Sequence, residues 1–309
     1  MLTIQAERHL SAEDTKALAG SLLDEGSFDR LVTENCDAIC NDGEPLFHFR
    51  KSVIPQNVLI SAYGNIMDAA TISDQRGTAG GYVDVDKTAT QLWDTGEKTA
   101  SKNTARLGYQ AANGYRRANM VQSGIMGYMD KMAKMPYCRT TAYSLQQPER
   151  FKQAIPFIQS VSDTFRAVAP ERFAAQQAII RQTHPDFTIH DTVFTTVTVN
   201  RNWQTAVHTD KGDYAEGMGV MSAMWRGKGD GCYFVFPAYR LAVSMRTGDV
   251  LLANVHEWHG NTPFKGTPGR YERIACVFYY RSNMHKCGSA EEELERAKKR
   301  KMGERLYED

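Results

Sequence analysis

From Thr192 to Tyr280 the chain alternates short β-branched or aromatic runs with glycine- and proline-bearing breaks, and this rhythm limits its possible folds more than any other feature. The runs are 192-TVFTTVTVN-200, 219-GVMSAMW-225, 232-CYFVF-236, 241-LAVSM-245, 249-DVLLANV-255 and 273-RIACVFYY-280. All are shorter than a typical buried helix, and all carry side chains that pack well on a pleated sheet. Several such strands in close succession predict a β-sandwich or barrel. Ahead of them Phe151, Ile155, Ile158, Val161 and Phe165, then Phe173, Ile179 and Ile180, recur at helical spacing and predict two core helices divided near Pro170. The expected class is α+β, a barrel flanked by helices.

The flanks read differently. Ser11 followed by Asp14 is an N-cap pattern and Gly26 a stop, so residues 1–149 are expected to be helical and irregular and to pack on the barrel. Cys36 and Cys40, four apart, fit one helix face. Residues 150–285 would hold the support helices and the core, and 286–309 a surface helix. There Ser289 is the cap, Glu291, Glu292 and Glu293 fill the first turn, and Lys298, Lys299, Arg300 and Lys301 come later, which suits the helix dipole. With 309 residues, 42% hydrophobic and 24% charged, the chain can bury the core of one large or two small domains. No stretch approaches the roughly 18 uncharged apolar residues of a membrane span. The first residues lack the apolar centre of a signal peptide, so a cytoplasmic compartment is expected. The six cysteines, at 36, 40, 138, 232, 276 and 287, form no CxxC pair and no dense framework, so reduced thiols are expected rather than disulfides.

A net charge of +1 neither favours nor excludes nucleic acid, because a near-neutral protein can carry a local basic groove. Between residues 106 and 143 basic and aromatic side chains mix: Arg106, Tyr109, Tyr115, Arg116, Arg117, Tyr128, Lys131, Lys134, Tyr137 and Arg139, with Asp130 the only acid. Such mixing suits a surface that tracks phosphates and stacks bases. It suits equally a solvated face laid over core tyrosines. The segment 74-DQRGTAGG-81 has loop chemistry but not the GK[ST] of a P-loop. Arg76 beside Gly77 favours a backbone that approaches a ligand over a plain turn.

After the first predicted strand comes 207-VHTDKGDY-214. Residues two apart on an extended chain project to the same side, so the imidazole of His208 and the carboxylate of Asp210 can hold one metal ion. A third ligand has to come from elsewhere, and 254-NVHEWHGNTPF-264 offers His256 and His259. Two histidines and one carboxylate make the facial triad of non-haem Fe(II) oxygenases, which leaves positions open for a cosubstrate and O2. An arginine on the last long strand would clamp a dicarboxylate cosubstrate. Arg270 follows His256 by fourteen residues and Arg273 follows His259 by the same interval, so spacing alone leaves the pair open. Arg270 lies in the turn 266-GTPGRY-271, whereas Arg273 opens a strand, where a clamp is held rigidly. The chain reversal Gly260, Asn261, Thr262, Pro263 would also leave His259 at the barrel mouth. His259 and Arg273 are therefore the expected ligand and clamp, with His256 packed or supporting. HEWHG does not have the H-E-x-x-H spacing of zinc proteases, and His9, His48, His184, His190 and His285 have no partners at useful spacing.

These motifs resemble the TET/JBP family of Fe(II)/2-oxoglutarate dioxygenases, in particular its short bacteriophage relatives. The resembling stretches are 196-TVTVNRNWQTAVHTDKGD-213, 233-YFVFPAYRLAVSMRTGDVLLANVHEWHGNTPF-264 and 272-ERIACVFYYR-281, with 76-RGTAGG-81 and 137-YCRTTAY-143 as further similar elements. The resemblance implies a double-stranded β-helix (jelly-roll) fold, with Fe(II), 2-oxoglutarate and O2 used to oxidise the 5-methyl group of a pyrimidine in DNA. It implies His208, Asp210 and His259 as iron ligands, the catalytic residues, and Arg273 as the holder of the distal carboxylate of 2-oxoglutarate. Ala275 departs from the serine that animal members carry near the cosubstrate, so that hydrogen bond is either missing or supplied by Asn200 or a tyrosine. Animal members also carry a cysteine-rich zinc region that six dispersed cysteines cannot form, so DNA contacts must differ. A phage-borne protein would work in its host's cytoplasm.

The base would have to flip out of the duplex or come from a single strand, with Arg76 and Arg139 as candidates to contact phosphate or base. The expected reaction is 5-methylcytosine to 5-hydroxymethylcytosine. Its alternative is thymine to 5-hydroxymethyluracil, since the two bases share the methyl group and differ in an exocyclic amino donor against a carbonyl acceptor. Two rivals stand beside these: a 2-oxoglutarate hydroxylase of a metabolite or protein side chain, and a barrel that binds nucleic acid without metal.

Overall fold

The computed structural model describes residues 1–83, 109–111, 114–132 and 135–301. The strands that position the site are β1 (Leu2–Ala6), β2 (Arg30–Val32), β3 (Cys36–Cys40), β4 (Pro45–Arg50), β5 (Val121–Met129), β6 (Thr196–Arg201), β7 (Gly219–Gly227), β8 (Phe234–Phe236), β9 (Leu241–Val243), β10 (Val250–Ala253), β11 (Gly260–Asn261) and β12 (Tyr271–Tyr279). One sheet runs β1-β3-β4-β10-β7-β12-β6-β5 and ends on the short strand Arg139–Thr140; the other runs β11-β8-β9-β2. Two facing sheets with mainly antiparallel neighbours make a double-stranded β-helix.

Period-two alternation explains how the large sheet serves two purposes. On β12, Ile274, Cys276 and Phe278 belong to the main apolar core, while Arg273, Ala275, Val277 and Tyr279 line a cavity on the other face. On β6, Val197 and Val199 face the core and Thr198 and Asn200 the cavity. The strands are in register, Asn200 opposite Ala275 and Val197 opposite Phe278. Helices Pro148–Val168 and Pro170–Ile180 cover the core face. Phe151, Phe157, Ile158, Val161 and Phe165 form the buried stripe of the first, and the Phe157 ring meets Phe278 at 5.4 Å. Each fully buried phenylalanine contributes about 2–3 kcal/mol. The break falls at Ala169, because Pro170 cannot donate to the preceding turn but is well suited to start a new helix.

The first third differs from its helical, irregular expectation. β1, β3 and β4 extend the large sheet and β2 completes the small one. These strands are short, and although β1, β3 and β4 pair locally with one another, they join the two sheets through partners some 200 residues away, Phe49 with Leu251 and Arg30 with Leu241. Cys36 and Cys40 share a strand rather than a helix face, since a spacing of four keeps one side in both geometries. β5 pairs with β6 and so belongs to the core sheet although it precedes residue 150. The helix capped by Ser11, whose Oγ accepts from Asp14 N at 3.0 Å, stops at Ala17, with Gly20 at φ +77° shortly after it, and does not reach Gly26.

The expectation of reduced thiols also needs correction. Cys138 and Cys287 form a disulfide across 149 residues, with Cα atoms 5.8 Å apart. Folding brings the segment after β5 against the segment after β12, a proximity no sequence spacing encodes; Cys36, Cys40, Cys232 and Cys276 are free. The final helix, Ala290–Lys301, starts as expected, with Ser289 and Glu292 exchanging backbone-to-side-chain hydrogen bonds. It is not wholly a surface element, because Glu293 is buried and accepts from Cys138 N and Gly288 N, both at 2.8 Å. Residues 302–309 lie outside the described residues. No helix among the described residues is long and apolar enough to cross a membrane.

Candidate metal centre

His208 and His259 sit opposite each other on adjacent extended segments, the backbone N–H of each donating to the carbonyl of the other at 2.9 and 3.0 Å. Asp210 follows two residues on, anchored by its N–H to Val255 O at 3.0 Å. The three side chains converge: His208 Nε2 is 3.5 Å from Asp210 Oδ1, and His259 Nε2 is 3.8 Å from Asp210 Oδ2. One ligand atom from each lies within 4.8 Å of the others, a spacing suited to a single ion. Both Nδ1 atoms face backbone carbonyls, that of His208 at Ala206 O (2.8 Å) and that of His259 at Glu257 O (2.9 Å). Each Nδ1–H is thereby held, and each Nε2 lone pair is left toward Asp210, the outer-shell arrangement that orients imidazole ligands. His259 is buried against the Phe234 ring at 4.9 Å. Burial, reinforced by His208, lowers its pKa to about 4 and keeps it in the neutral, ligating form. His256 is exposed and stands outside this group.

A cavity of about 450 Å³ opens beside these residues, lined also by Arg76, Asn200 and Arg273. Arg273 is 6% exposed, and its Nε is buried without a hydrogen-bond partner. Among the described residues no carboxylate pairs with it, although its backbone N–H is fixed by Asn202 Oδ1 at 2.7 Å. A buried guanidinium without an anion is costly, so this wall is built for an acidic ligand. Asn200 Oδ1 accepts from Ser123 Oγ at 2.5 Å, which leaves its NH2 for the cavity. Arg76 enters from the turn Gly77–Gly80; burial lowers its pKa, and Tyr279 and Asp210 are its nearest electrostatic partners.

Arg139 is not part of this wall. Its guanidinium contacts Asp130 O at 3.3 Å and Met132 Sδ at 3.4 Å, behind Arg281, which does line the cavity. Of the basic and aromatic mixture around it, Arg106 and Lys134 lie outside the described residues, as do the side chains of Tyr109, Tyr115, Arg116 and Arg117.

Sequence reasoning missed Asp213, Tyr279 and Arg281, which complete the lining. Asp213 is 8% exposed, and its Oδ2 has no partner. Burial, then the charge of Asp210, pushes its carboxyl well up, against the opposing pull of Arg281. Arg281 donates from Nε to Asp130 Oδ1 at 2.8 Å. A signal for two of these existed: odd positions from Arg273 to Arg281 share one face of a strand, so Tyr279 and Arg281 point to the clamp's side.

Two histidines and a carboxylate at the mouth of a double-stranded β-helix, with a buried arginine on its last long strand, define an oxygenase of the Fe(II)/2-oxoglutarate class. The model of the Tet_JBP family, the oxygenase domain of the 2OGFeDO superfamily, matches residues 124–282, 159 of 309, and the chain belongs to that family. Thymine dioxygenase JBP1 of Trypanosoma brucei brucei is 34% identical over 184 residues, 58% of this chain and 21% of that protein. The bifunctional helicase and thymine dioxygenase JBP2 of Leishmania infantum is 34% identical over 164 residues, 52% of this chain and 15% of that protein. The chain thus matches a minor part of these longer relatives. The structure of NgTET1 in complex with 5mC DNA superposes with a TM-score of 0.53 at 11% identity, covering 94% of this chain and all of that one, which establishes a common fold.

Proposed function

We propose that the protein oxidises the 5-methyl group of a pyrimidine in DNA, with thymine as the base and 5-hydroxymethyluracil as the product. The observation that carries the reading is the buried, unpaired Arg273 in the same cavity as the His208, Asp210 and His259 cluster. The donor set fits iron: two neutral imidazoles with aimed Nε2 atoms and one carboxylate leave other positions free. His208, Asp210 and His259 would hold Fe(II), Arg273 the distal carboxylate of 2-oxoglutarate, and Asn200 would donate to the cosubstrate in place of the missing side chain at Ala275. The bound iron and 2-oxoglutarate supply the oxidant. One O2 inserts one oxygen into the methyl C–H bond and the other into 2-oxoglutarate, which leaves as succinate and CO2. No side-chain acid or base is needed, so this chain's residues bind, orient and exclude water.

The choice of base moves from the 5-methylcytosine expected from sequence toward thymine. The relatives at about one-third identity are named thymine dioxygenases. The cavity chemistry supports the same choice: the guanidinium of Arg281 is a donor, which suits the O4 acceptor of thymine better than the amino group of cytosine. Arg76 and Lys211 are the other cationic side chains of the cavity, and Arg76 would meet phosphate or base. A stacked base cannot enter such a cavity, so the base is flipped out or single-stranded.

The test is nucleoside mass spectrometry after incubation with Fe(II), 2-oxoglutarate and ascorbate on two DNAs, one with 5-methylcytosine and one with only the four ordinary bases. Hydroxymethyluracil from both is the expected result. Hydroxymethylcytosine alone returns the base to 5-methylcytosine, and succinate without any modified nucleoside moves the substrate outside DNA.

A further inference from the structure

The glutamate inside the HEWH motif has no place in the chemistry above, yet its side chain is held by a residue from the far N-terminal end. Arg8 Nη2 donates to Glu257 Oε1 at 2.5 Å and to the Tyr239 hydroxyl at 2.9 Å. The Tyr239 hydroxyl in turn donates to Glu257 Oε1 at 3.1 Å, and the guanidinium lies 4.8 Å from the centre of the Tyr239 ring. The arm that carries Arg8 is itself fixed by His9 N–H to Ala238 O at 2.7 Å. Glu257 belongs to the turn at residues 254–257, and that turn makes two contacts to the metal cluster. Its Val255 carbonyl accepts from the backbone N–H of Asp210 at 3.0 Å, and its Glu257 carbonyl holds Nδ1 of His259 at 2.9 Å.

We infer that Arg8, through Glu257 and Tyr239, is a positioning residue for the metal centre: it clamps the turn whose carbonyls aim His259 and seat Asp210. Arg8 comes from outside the stretch matched by the family, residues 124–282, whereas Glu257 and Tyr239 lie within it, so the N-terminal arm supplies the outer half of the clamp. Exposed ion pairs add little to global stability. A clamp on groups that orient ligands acts instead on metal affinity, where loss of an outer partner typically costs about 10–100-fold. One more bond separates Arg8 from the ligands, so the lower end applies.

The inference rests on the iron reading, and its test separates the two. Fe(II) is titrated anaerobically into the full metal-free chain with saturating 2-oxoglutarate, and the midpoint of the visible charge-transfer band is read. Arg8→Met and Glu257→Ala should each weaken iron binding about tenfold, and the double variant no further than either alone, because both open one clamp. Arg8→Lys should retain most of the affinity. Lys298→Met, which breaks the exposed Lys298–Glu295 pair on the last helix, should leave the midpoint unchanged. A wild-type band with an unshifted midpoint in Arg8→Met overturns the clamp alone, as does an equal shift in Lys298→Met. Absence of the band in the wild type removes the iron reading and the clamp with it. If Arg8→Met does not fold, Glu257→Ala against Arg8→Lys carries the comparison.

Discussion

At the scale of residues, His256 and His259 are three apart in one motif and differ in everything that matters to a metal: exposure, the hydrogen bond to Nδ1, and distance from Asp210. His259→Ala should abolish the iron charge-transfer band and turnover, while His256→Ala keeps the band; the opposite pattern would overturn the ligand assignment proposed here. Burial of His259 also sets a pH dependence. Its pKa is about 4 in the folded chain against 6.5 as the ordinary value, so the unfolded state takes up the proton first as pH falls. The stability this residue contributes is complete above pH 6.5 and is lost toward pH 4. For the metal-free protein the loss between pH 7 and 5 amounts to about 2 kcal/mol. Urea unfolding at the two pH values, with His259→Ala as reference, measures it, and equal pH dependence in both proteins would refute it. The HxD pair and the His259–Arg273 interval were legible in sequence because period two and strand ends are local properties. Asp213 was not, since its significance comes from burial beside Asp210 and Arg281.

At the scale of elements, β6, β7, β10, β12 and the two long helices follow their sequence patterns to within a few residues, because each presents an apolar face to the same core, while β8 and β9 turn theirs to a second one. β5 is different: its pattern mixes buried, half-buried and exposed positions, and its place is decided by a close approach. A Cβ added at Gly124 would stand 1.7 Å from the carbonyl oxygen of Ala69, so the turn at residues 69–70 can lie on the strand only above a glycine. Gly124→Ala should therefore cost about 3 kcal/mol, the upper end for overpacking. A denaturant midpoint equal to wild type would mean that the turn moves aside freely. Because β5 pairs with β6 next to Asn200 and Ser123, the same variant should weaken 2-oxoglutarate binding.

At the scale of the whole molecule, the Cys138–Cys287 bridge closes a covalent loop spanning 149 residues and joins the two segments that bring Asp130 and Arg281 together beside the cavity. A loop of this length is worth about 5 kcal/mol on the chain-entropy account. Dithiothreitol, or Cys138→Ala, should lower the unfolding free energy by that order; no change on reduction would contradict it. The sequence alone determined the strand-rich core, its two cover helices, the iron-binding type of motif and the side of β12 that carries Arg273, all of which rest on alternation and spacing over a few residues. Only the tertiary structure decided that the N-terminal strands complete both sheets, that Asp213 and Arg281 face the cavity, and that Cys138 meets Cys287. The reason is physical: pairing and burial between residues more than a hundred positions apart depend on how the whole chain closes, and no local period records it.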